Sequence, residues 1–141
     1  MPVLIDTSEF GRLNWAADAA RFAVDLLMRS VDAGVESMFF TRFPYWRELA
    51  LCLGRRTAPP VPESPTPGTR AALAALAWLV AQLPAVCPDA REPGRAWEWQ
   101  VVLAEYFLRA ACHPDVPPPK RAAALVAAHD QVKEAKALLL G

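Results

Sequence analysis

The stretch RAALAALAWLVAQL, residues 70–83, carries one charged side chain, Arg70 at its first position. Thr69 stands directly before it, where a threonine side chain can cap a helix. A helix that is apolar around its whole circumference has to be covered on all sides. We therefore predict a helix over residues 70–83 at the centre of the fold, with the rest of the chain packed around it.

Four further helices are predicted around this one. Their ends are marked by residues that commonly start or stop a helix: Gly34 follows the first, Pro44 and Gly54 begin and end the second, and Pro93 begins the fourth. A short segment at 36–40 precedes the second, and strand-like alternation is confined to 2–5. The sequence thus predicts an all-α fold, a single compact bundle of about five helices. The four helices predicted around the helix at 70–83 are residues 14–33, 44–53, 93–112 and a last helix ending near 139. Asn14 is the predicted cap of the first.

The last helix has a narrow apolar seam. Five apolar residues repeat along it with alternating spacings of three and four, which is typical of a helix that packs against one neighbour. They are Leu125, Ala128, Val132, Ala135 and Leu139.

A proline-rich connector separates the first helices from the last three. Five prolines fall within the nine residues 59–67, which excludes both a helix and a central strand. We expect an extended, semi-rigid segment over 55–68, between helices at 1–54 and helices at 69–141 of one domain. A connector of this length is either a functional loop or a tether between two sub-bundles.

The composition excludes some classes of partner. The chain has 141 residues, with 15 Lys and Arg against 15 Asp and Glu, and 54% of its residues are apolar. A chain of this kind can bury an ordinary core. Its balanced charge argues against nucleic acid as a partner, because binding to phosphates depends on a surplus of basic side chains.

We expect a protein of the bacterial cytoplasm with no membrane partner. The first residues, MPVLID, lack the basic region of a secretory signal. The uncharged run 71–89 is interrupted by Gln82 and Pro84, whereas about 20 apolar residues are needed to cross a bilayer. Cysteines 52, 87 and 112 are odd in number and widely spaced, which is typical of reduced thiols.

No reactive motif is found, and we expect no catalytic residues, no cofactor and no metal. Glu98 and Glu105 lack the histidines that a di-iron site needs, and both fall on the predicted solvent stripe of their helix. A metal or nucleophile site at Cys112, His113 and His129, with Cys87 as a further ligand, is the alternative. The simpler interpretation is a buried thiol followed by a histidine at a helix end.

The most unusual segment is TRFPYWR, residues 41–47, in which arginines alternate with aromatic residues. Arg42, Tyr45, Trp46 and Arg47 are candidate contacts for a protein partner, since arginine and aromatic residues dominate interface hot spots. The same residue types stack on nucleic-acid bases. The third interpretation is structural: the aromatic rings fix the helix start in the core while the arginines stay in solvent.

Trp97, Trp99 and Gln100 are the other candidate site residues. The two tryptophans lie about 200° apart around a helix, so they either contact two different neighbours or leave a patch for a partner. Gln100 points to the apolar side of the same helix. Its amide either clamps the backbone of another helix or orients a ligand in a pocket.

Together these features predict a non-enzymatic helical module that binds another protein or a second copy of itself. Its role would be that of a small subunit of an assembly, an inhibitor or immunity-type protein, or an adaptor. The alternative is a small-molecule-binding or catalytic bundle with its pocket between the third and fourth helices, where Gln100 would lie. A DNA-binding regulator is the weaker alternative, because no helix-turn-helix spacing precedes the helix at 44–53.

Overall fold

A computed structural model describes residues 14–31 and 36–141 of the chain. Within these residues the protein consists of five α-helices and contains no strand, which confirms the predicted all-α bundle. Two short 3-10 turns, Pro88–Ala90 and Pro93–Arg95, connect the third and fourth helices. The predicted alternation at 2–5 and the predicted helix end at 33–34 lie outside the described residues. The helices are α1 (Asn14–Arg29), α2 (Glu36–Gly54), α3 (Pro67–Val86), α4 (Glu98–Cys112) and α5 (Pro118–Leu140).

The bounds of α1 and α2 differ from the prediction. Helix α1 has its last helical residue at Arg29, and the amides of Ser30 and Val31 both donate to the Leu26 carbonyl, at 3.0 and 3.1 Å. Helix α2 runs without a break through Pro44, so the prediction that this proline begins the helix is wrong. Packing of the following turns outweighs the one backbone hydrogen bond that an internal proline removes.

The end of α2 is a Schellman motif. The Thr57 amide donates to the Cys52 carbonyl at 2.9 Å, and the Arg56 amide donates to Leu53 at 3.2 Å. Arg56 has the left-handed conformation, with φ of 57°, that glycine usually supplies here. Helix α2 ends at Gly54, as predicted. Gly54 also permits close packing, because a Cβ at this position would overlap the Gln131 amide.

The centre of the bundle is α4, which packs against α5, α1 and α2. The main contact of α3 is with α1, so the prediction that α3 lies at the centre is wrong. Helix α5 also departs from its predicted seam, since Leu125, Val132 and Leu139 are all more than half exposed. Ala128 and Ala135 of the predicted seam are buried, as expected. The buried alanines of α5 let it approach α4 closely: Ala123, Ala124, Ala127, Ala128 and Ala135.

One hydrophobic core contains residues from all five helices. Its largest fully buried side chains include Trp46, Trp99 and Phe107, and the rings of Trp46 and Phe107 meet edge to face at 6.0 Å.

The proline-rich connector is fastened along its length. The Tyr45 hydroxyl donates to the Pro60 carbonyl at 2.7 Å. At the beginning of the connector, the Arg56 guanidinium contacts Asp89 and the Cys87 sulfur beyond the end of α3. At its end, the Thr66 hydroxyl caps α3 by accepting from the Thr69 amide at 3.2 Å, so α3 begins three residues before the predicted start.

Candidate interaction surface

Trp46, the central candidate of the arginine-aromatic segment, is a core residue. It is 1% exposed, and its indole Nε1 donates to the Leu27 carbonyl at 3.1 Å. This bond satisfies a carbonyl in the last turn of α1. The indole therefore offers no surface to a partner, and the structural interpretation applies to it.

The other three candidates of this segment lie around the same part of α2. Arg47 makes two hydrogen bonds to Asp130 of α5, at 2.7 and 2.9 Å, and this contact lowers the pKa of the Asp130 carboxyl. Burial raises the pKa of Tyr45, whose hydroxyl binds the connector. Arg42 is exposed beside Tyr45 at a groove of about 310 Å³ lined by the connector. Arg47 and Tyr45 thus hold α2 to α5 and to the connector.

The structure separates the two tryptophans of the fourth segment. Trp97 precedes α4, is half-buried, and donates to the Gly94 carbonyl at 2.8 Å. Trp99 is completely buried, and its ring stacks on Trp15 at a centroid distance of 6.2 Å. Each indole contacts a different neighbour. Because Trp99 is buried, it is not available as a contact for a partner.

Three buried side chains cap the last turn of α2, and we call this group the α2 C-terminal clamp. Trp99 Nε1 donates to Leu53, Gln100 Nε2 to Gly54, and Gln131 Nε2 to the Ala50 carbonyl, each at 2.8 Å. The Leu53 and Gly54 carbonyls lie in the last turn, where no helical amide follows to bind them, and a buried carbonyl needs a donor. Leu53 also accepts from the Arg56 amide at 3.2 Å, so Trp99 is its second donor. Of the two interpretations of Gln100, the one that applies is therefore the clamp: its amide binds the backbone of another helix. Within the described residues, the amide oxygens of both glutamines are buried without a hydrogen-bond donor.

Glu98 is buried next to the clamp and not on a solvent stripe as predicted. It is 3% exposed and accepts two hydrogen bonds from Arg95, at 2.7 and 2.9 Å. Trp15 Nε1 donates a further bond to it at 3.0 Å. Glu105 lies seven residues later on the same side of α4 and is exposed as predicted. Glu98 differs because Arg95, in the turn before α4, and Trp15 of α1 cover it.

The thiol and imidazole candidates are spread over the surface. Cys112, His113 and His129 are all exposed, and His113 Nδ1 accepts from the Asp115 amide at 3.2 Å. Cys87 is buried, and burial raises the pKa of its thiol although Arg56 lies beside the sulfur. Across residues 14–31 and 36–141 no group of three or more metal-ligating side chains is arranged to hold a metal ion.

An exposed apolar surface without charge lies on α3, and sequence reasoning did not single it out. Trp78 is 64% exposed and Val86 is 56% exposed, while the opposite side of the helix enters the core. No charged residue occurs between Ala71 and Val86. We call this exposed surface the α3 outer face: Ala71, Ala74, Ala77, Trp78, Ala81, Gln82, Ala85 and Val86.

A signal for this face is present in the sequence. Five of its residues repeat with spacings of three, four, three and four, which is the period of a helix seam that meets another helix. They are Ala71, Ala74, Trp78, Ala81 and Ala85. The opposite side of the helix is richer in leucine, so it takes the core, and the alanine and tryptophan seam faces outward.

By length and composition alone, α3 is also long and apolar enough to cross a membrane. Within the protein, 39% of its apolar window is buried. Core helices of soluble proteins pass the same test, so this property does not by itself assign a membrane partner.

The fold and the surface define an all-α bundle with one uncharged, aromatic helix face on its exterior. No protein-family model, no curated protein and no solved structure matches this chain. The function has to be argued from the chain's own residues.

Proposed function

We propose that this protein is a non-enzymatic, helical protein–protein interaction module, and that the α3 outer face is its contact surface. The partner surface is an uncharged, apolar helix of a protein. The observation that carries the proposal is Trp78, a large aromatic side chain 64% exposed in the middle of a face without charge. Tryptophan is enriched in interface hot spots, because one side chain buries a large apolar area.

The chemistry of the face favours this partner over the alternatives. Phosphate and sugar contacts require basic or polar donors, and between Ala71 and Val86 the only such groups are the Gln82 amide and the Trp78 indole N–H. The small-molecule alternative depended on Gln100, whose amide nitrogen is used by the α2 C-terminal clamp. An exposed apolar strip on a helix fits the side of another helix, as in helix-in-groove recognition. We further propose the bacterial cytoplasm as the location, since the three cysteines are unpaired.

Photo-crosslinking from position 78 tests the proposal. Trp78 is replaced by a photoreactive phenylalanine in the full chain, the cells are irradiated, and the attachment point is sequenced. We expect one identified protein, joined through an apolar helical peptide, and loss of this product when Ala81→Lys is added. A matched variant with the same label at Leu125, which is 53% exposed on α5, should give no such product.

Two results would contradict the proposed function. One is the absence of any discrete protein product from position 78. The other is attachment of the label only to residues of the same molecule, which would mean that the chain covers its own α3 outer face.

A further inference from the structure

We infer that the groove beside Tyr45 is a binding site for an extended, proline-rich peptide segment. The chain's own connector occupies this site as an intramolecular ligand, and a proline-rich segment of another protein can take its place. We call the site the connector groove: Arg42, Tyr45 and Thr69, with Pro62 and Pro65 of the connector opposite them. It shares no residue with the α3 outer face, so this inference does not rest on the proposed function.

The connector has the backbone of a proline-rich ligand. Residues 57–62 belong to no helix or turn, and every connector residue after Arg56 has a negative φ. Each proline fixes its own φ at about −65° and keeps the residue before it out of the helical region, so most of the segment is held extended. Such a segment loses little conformational freedom when it binds, which favours its recognition.

One edge of the connector faces the bundle. Side chains three residues apart share the same environment, which is the period of a polyproline II helix. The half-buried set is Pro59, Pro62 and Pro65, and the exposed set is Ala58, Val61 and Ser64. The chain bends at 63–64, and the alternation continues through the bend. The bundle therefore binds the connector through an edge made of prolines.

Tyr45 recognises the connector through its backbone. Its hydroxyl donates to the Pro60 carbonyl at 2.7 Å, and Tyr45 also lines the groove beside Pro62. The carbonyls of an extended proline-rich segment have no hydrogen bonds within the segment, so they are open to a donor from outside. A groove that combines an aromatic side chain with such a donor is the usual receptor for polyproline segments.

The connector does not fill the groove. A cavity of about 310 Å³ remains open, lined by Tyr45 and Thr69 from the helices and by Pro62 and Pro65 from the connector, with Arg42 at its edge. Side chains that leave such a space forfeit van der Waals contacts. A segment with larger side chains at these two positions would make contacts that the connector does not make, so the groove suits a ligand other than its resident one.

The covalent link determines how strongly the connector competes with such a segment. Both of its ends are held, since Arg56 pairs with Asp89 and the Thr66 hydroxyl accepts from the Thr69 amide. A ligand joined by a short linker acts at an effective concentration of about 1 mM. A separate segment with a dissociation constant of about 100 μM for the empty groove would therefore bind the wild-type chain about tenfold more weakly.

Fluorescence polarisation with a labelled peptide tests the site. The probe is TAPPVPESPT, the sequence of residues 57–66. The receptor is the full chain in which residues 58–65 are replaced by four Gly-Ser pairs. This Gly-Ser variant leaves the groove empty and keeps Thr57 and Thr66 at the ends of the connector. We expect it to bind the probe about tenfold more tightly than the wild-type chain does.

Matched controls identify the groove and the feature that it reads. Tyr45→Phe in the Gly-Ser variant should weaken binding about fivefold, because one hydrogen bond is lost. Tyr106→Phe, at the other tyrosine of the chain, should leave binding unchanged. A control peptide with alanine in place of the prolines at 59, 62 and 65 should bind more than about tenfold more weakly than the probe.

Two results with the Gly-Ser variant overturn the inference, provided that circular dichroism shows it to be folded. One is no binding of the probe at concentrations up to about 1 mM, the effective concentration of the connector. The other is equal binding of the probe and the control peptide, which would show that the groove does not recognise prolines.

Displacement in the wild-type chain decides the question if the Gly-Ser variant does not fold. Glu-C protease cuts after Glu63 when the connector leaves the bundle, and the masses of fragments 1–63 and 64–141 identify this cut. Unlabelled probe carrying Glu63→Gln, at about 5 mM, should accelerate the cut about fivefold, and the control peptide should not. A rate that the probe leaves unchanged overturns the inference, and photo-crosslinking from position 78 remains a separate test of the proposed function.

Discussion

The α3 outer face and the α2 C-terminal clamp reverse the usual distribution of side chains. The clamp is a polar group, two glutamines and an indole nitrogen, at positions that are no more than 3% exposed. The outer face is apolar, and its largest side chain, Trp78, is 64% exposed. In a soluble bundle we expect the opposite in both places.

The difference indicates that contact with solvent does not explain the residues of either region. The clamp residues are buried because they donate to three carbonyls at the end of α2, where a helix supplies few donors of its own. The side chains of the α3 outer face are not needed as donors to any backbone group of this kind. Its apolar character is therefore the better guide to binding, and the clamp is the better guide to stability.

The largest expected effect contrasts the two tryptophans. Trp99→Ala should lower the free energy of unfolding by about 3–5 kcal/mol, because it leaves a cavity and removes the Leu53 cap. Trp78→Ala should change the stability of the monomer by less than ~0.5 kcal/mol. Urea unfolding at low protein concentration measures both. Equal losses at the two positions would mean that Trp78 is a core residue.

A glycine and a glutamine of the clamp should show strong coupling. Gly54→Ala places a Cβ against the Gln131 amide, and Gln131→Ala removes the side-chain donor to the Ala50 carbonyl. We expect each variant to lose about 1–3 kcal/mol. The double variant should lose clearly less than the sum, because the shorter side chain at position 131 leaves room for the new methyl group. Additive losses in a double-mutant cycle would show that the two positions do not share this space.

The ion pair between Arg47 of α2 and Asp130 of α5 should make the stability of the protein depend on pH. Arg47 lowers the pKa of Asp130, with smaller contributions from His129 and Lys133. Since the folded pKa lies below the unfolded value of about 3.9, the stabilisation is complete above that value and is lost as the pH falls through the folded pKa. Asp130→Asn should therefore be less stable than the wild type at neutral pH, with the difference shrinking in acid. A difference in melting temperature that is constant with pH would contradict this.

The smallest effect concerns fluorescence and leaves stability unchanged. Trp78 is the only one of the five tryptophans that is more than about one third exposed, so it should be the most accessible to acrylamide. Trp78→Phe should remove most of the quenching in dilute solution, whereas Trp97→Phe, at a half-buried indole, should remove little.

The sequence predicted the helical class and the approximate positions of the five helices, because prolines, glycines and apolar spacing act locally. It did not predict which helix is central. The charge-free α3 was expected there, but α5 offers a run of alanines that lets two backbones approach, and this contact places α4 in the middle. The absence of charged residues indicates that a helix face is not suited to contact with water. It does not say whether the face is covered by the same chain or by another.

The site residues were predicted less well, and for a specific reason. Trp46, Trp99 and Gln100 were recognised as unusual, but their hydrogen-bond acceptors are carbonyls at Leu27, Leu53 and Gly54, tens of residues away. Single-sequence patterns do not reveal such pairs. Trp78 lay within the stretch that was interpreted as core, so its outward seam at Ala74 and Ala81 was not considered.

The length of chain between the partners of these bonds bears on how the protein is made. Gln131 binds Ala50 across 81 residues, Arg47 binds Asp130 across 83, and Lys120 binds the Met28 carbonyl across 92. During synthesis α1, α2 and α3 leave the ribosome before α4 and α5. Until α4 and α5 have emerged, the carbonyls at the end of α2 lack the side chains that cap them. We therefore expect the α4–α5 hairpin to organise the nascent chain once it emerges, and folding of this bundle to be completed only after α5 has left the ribosome.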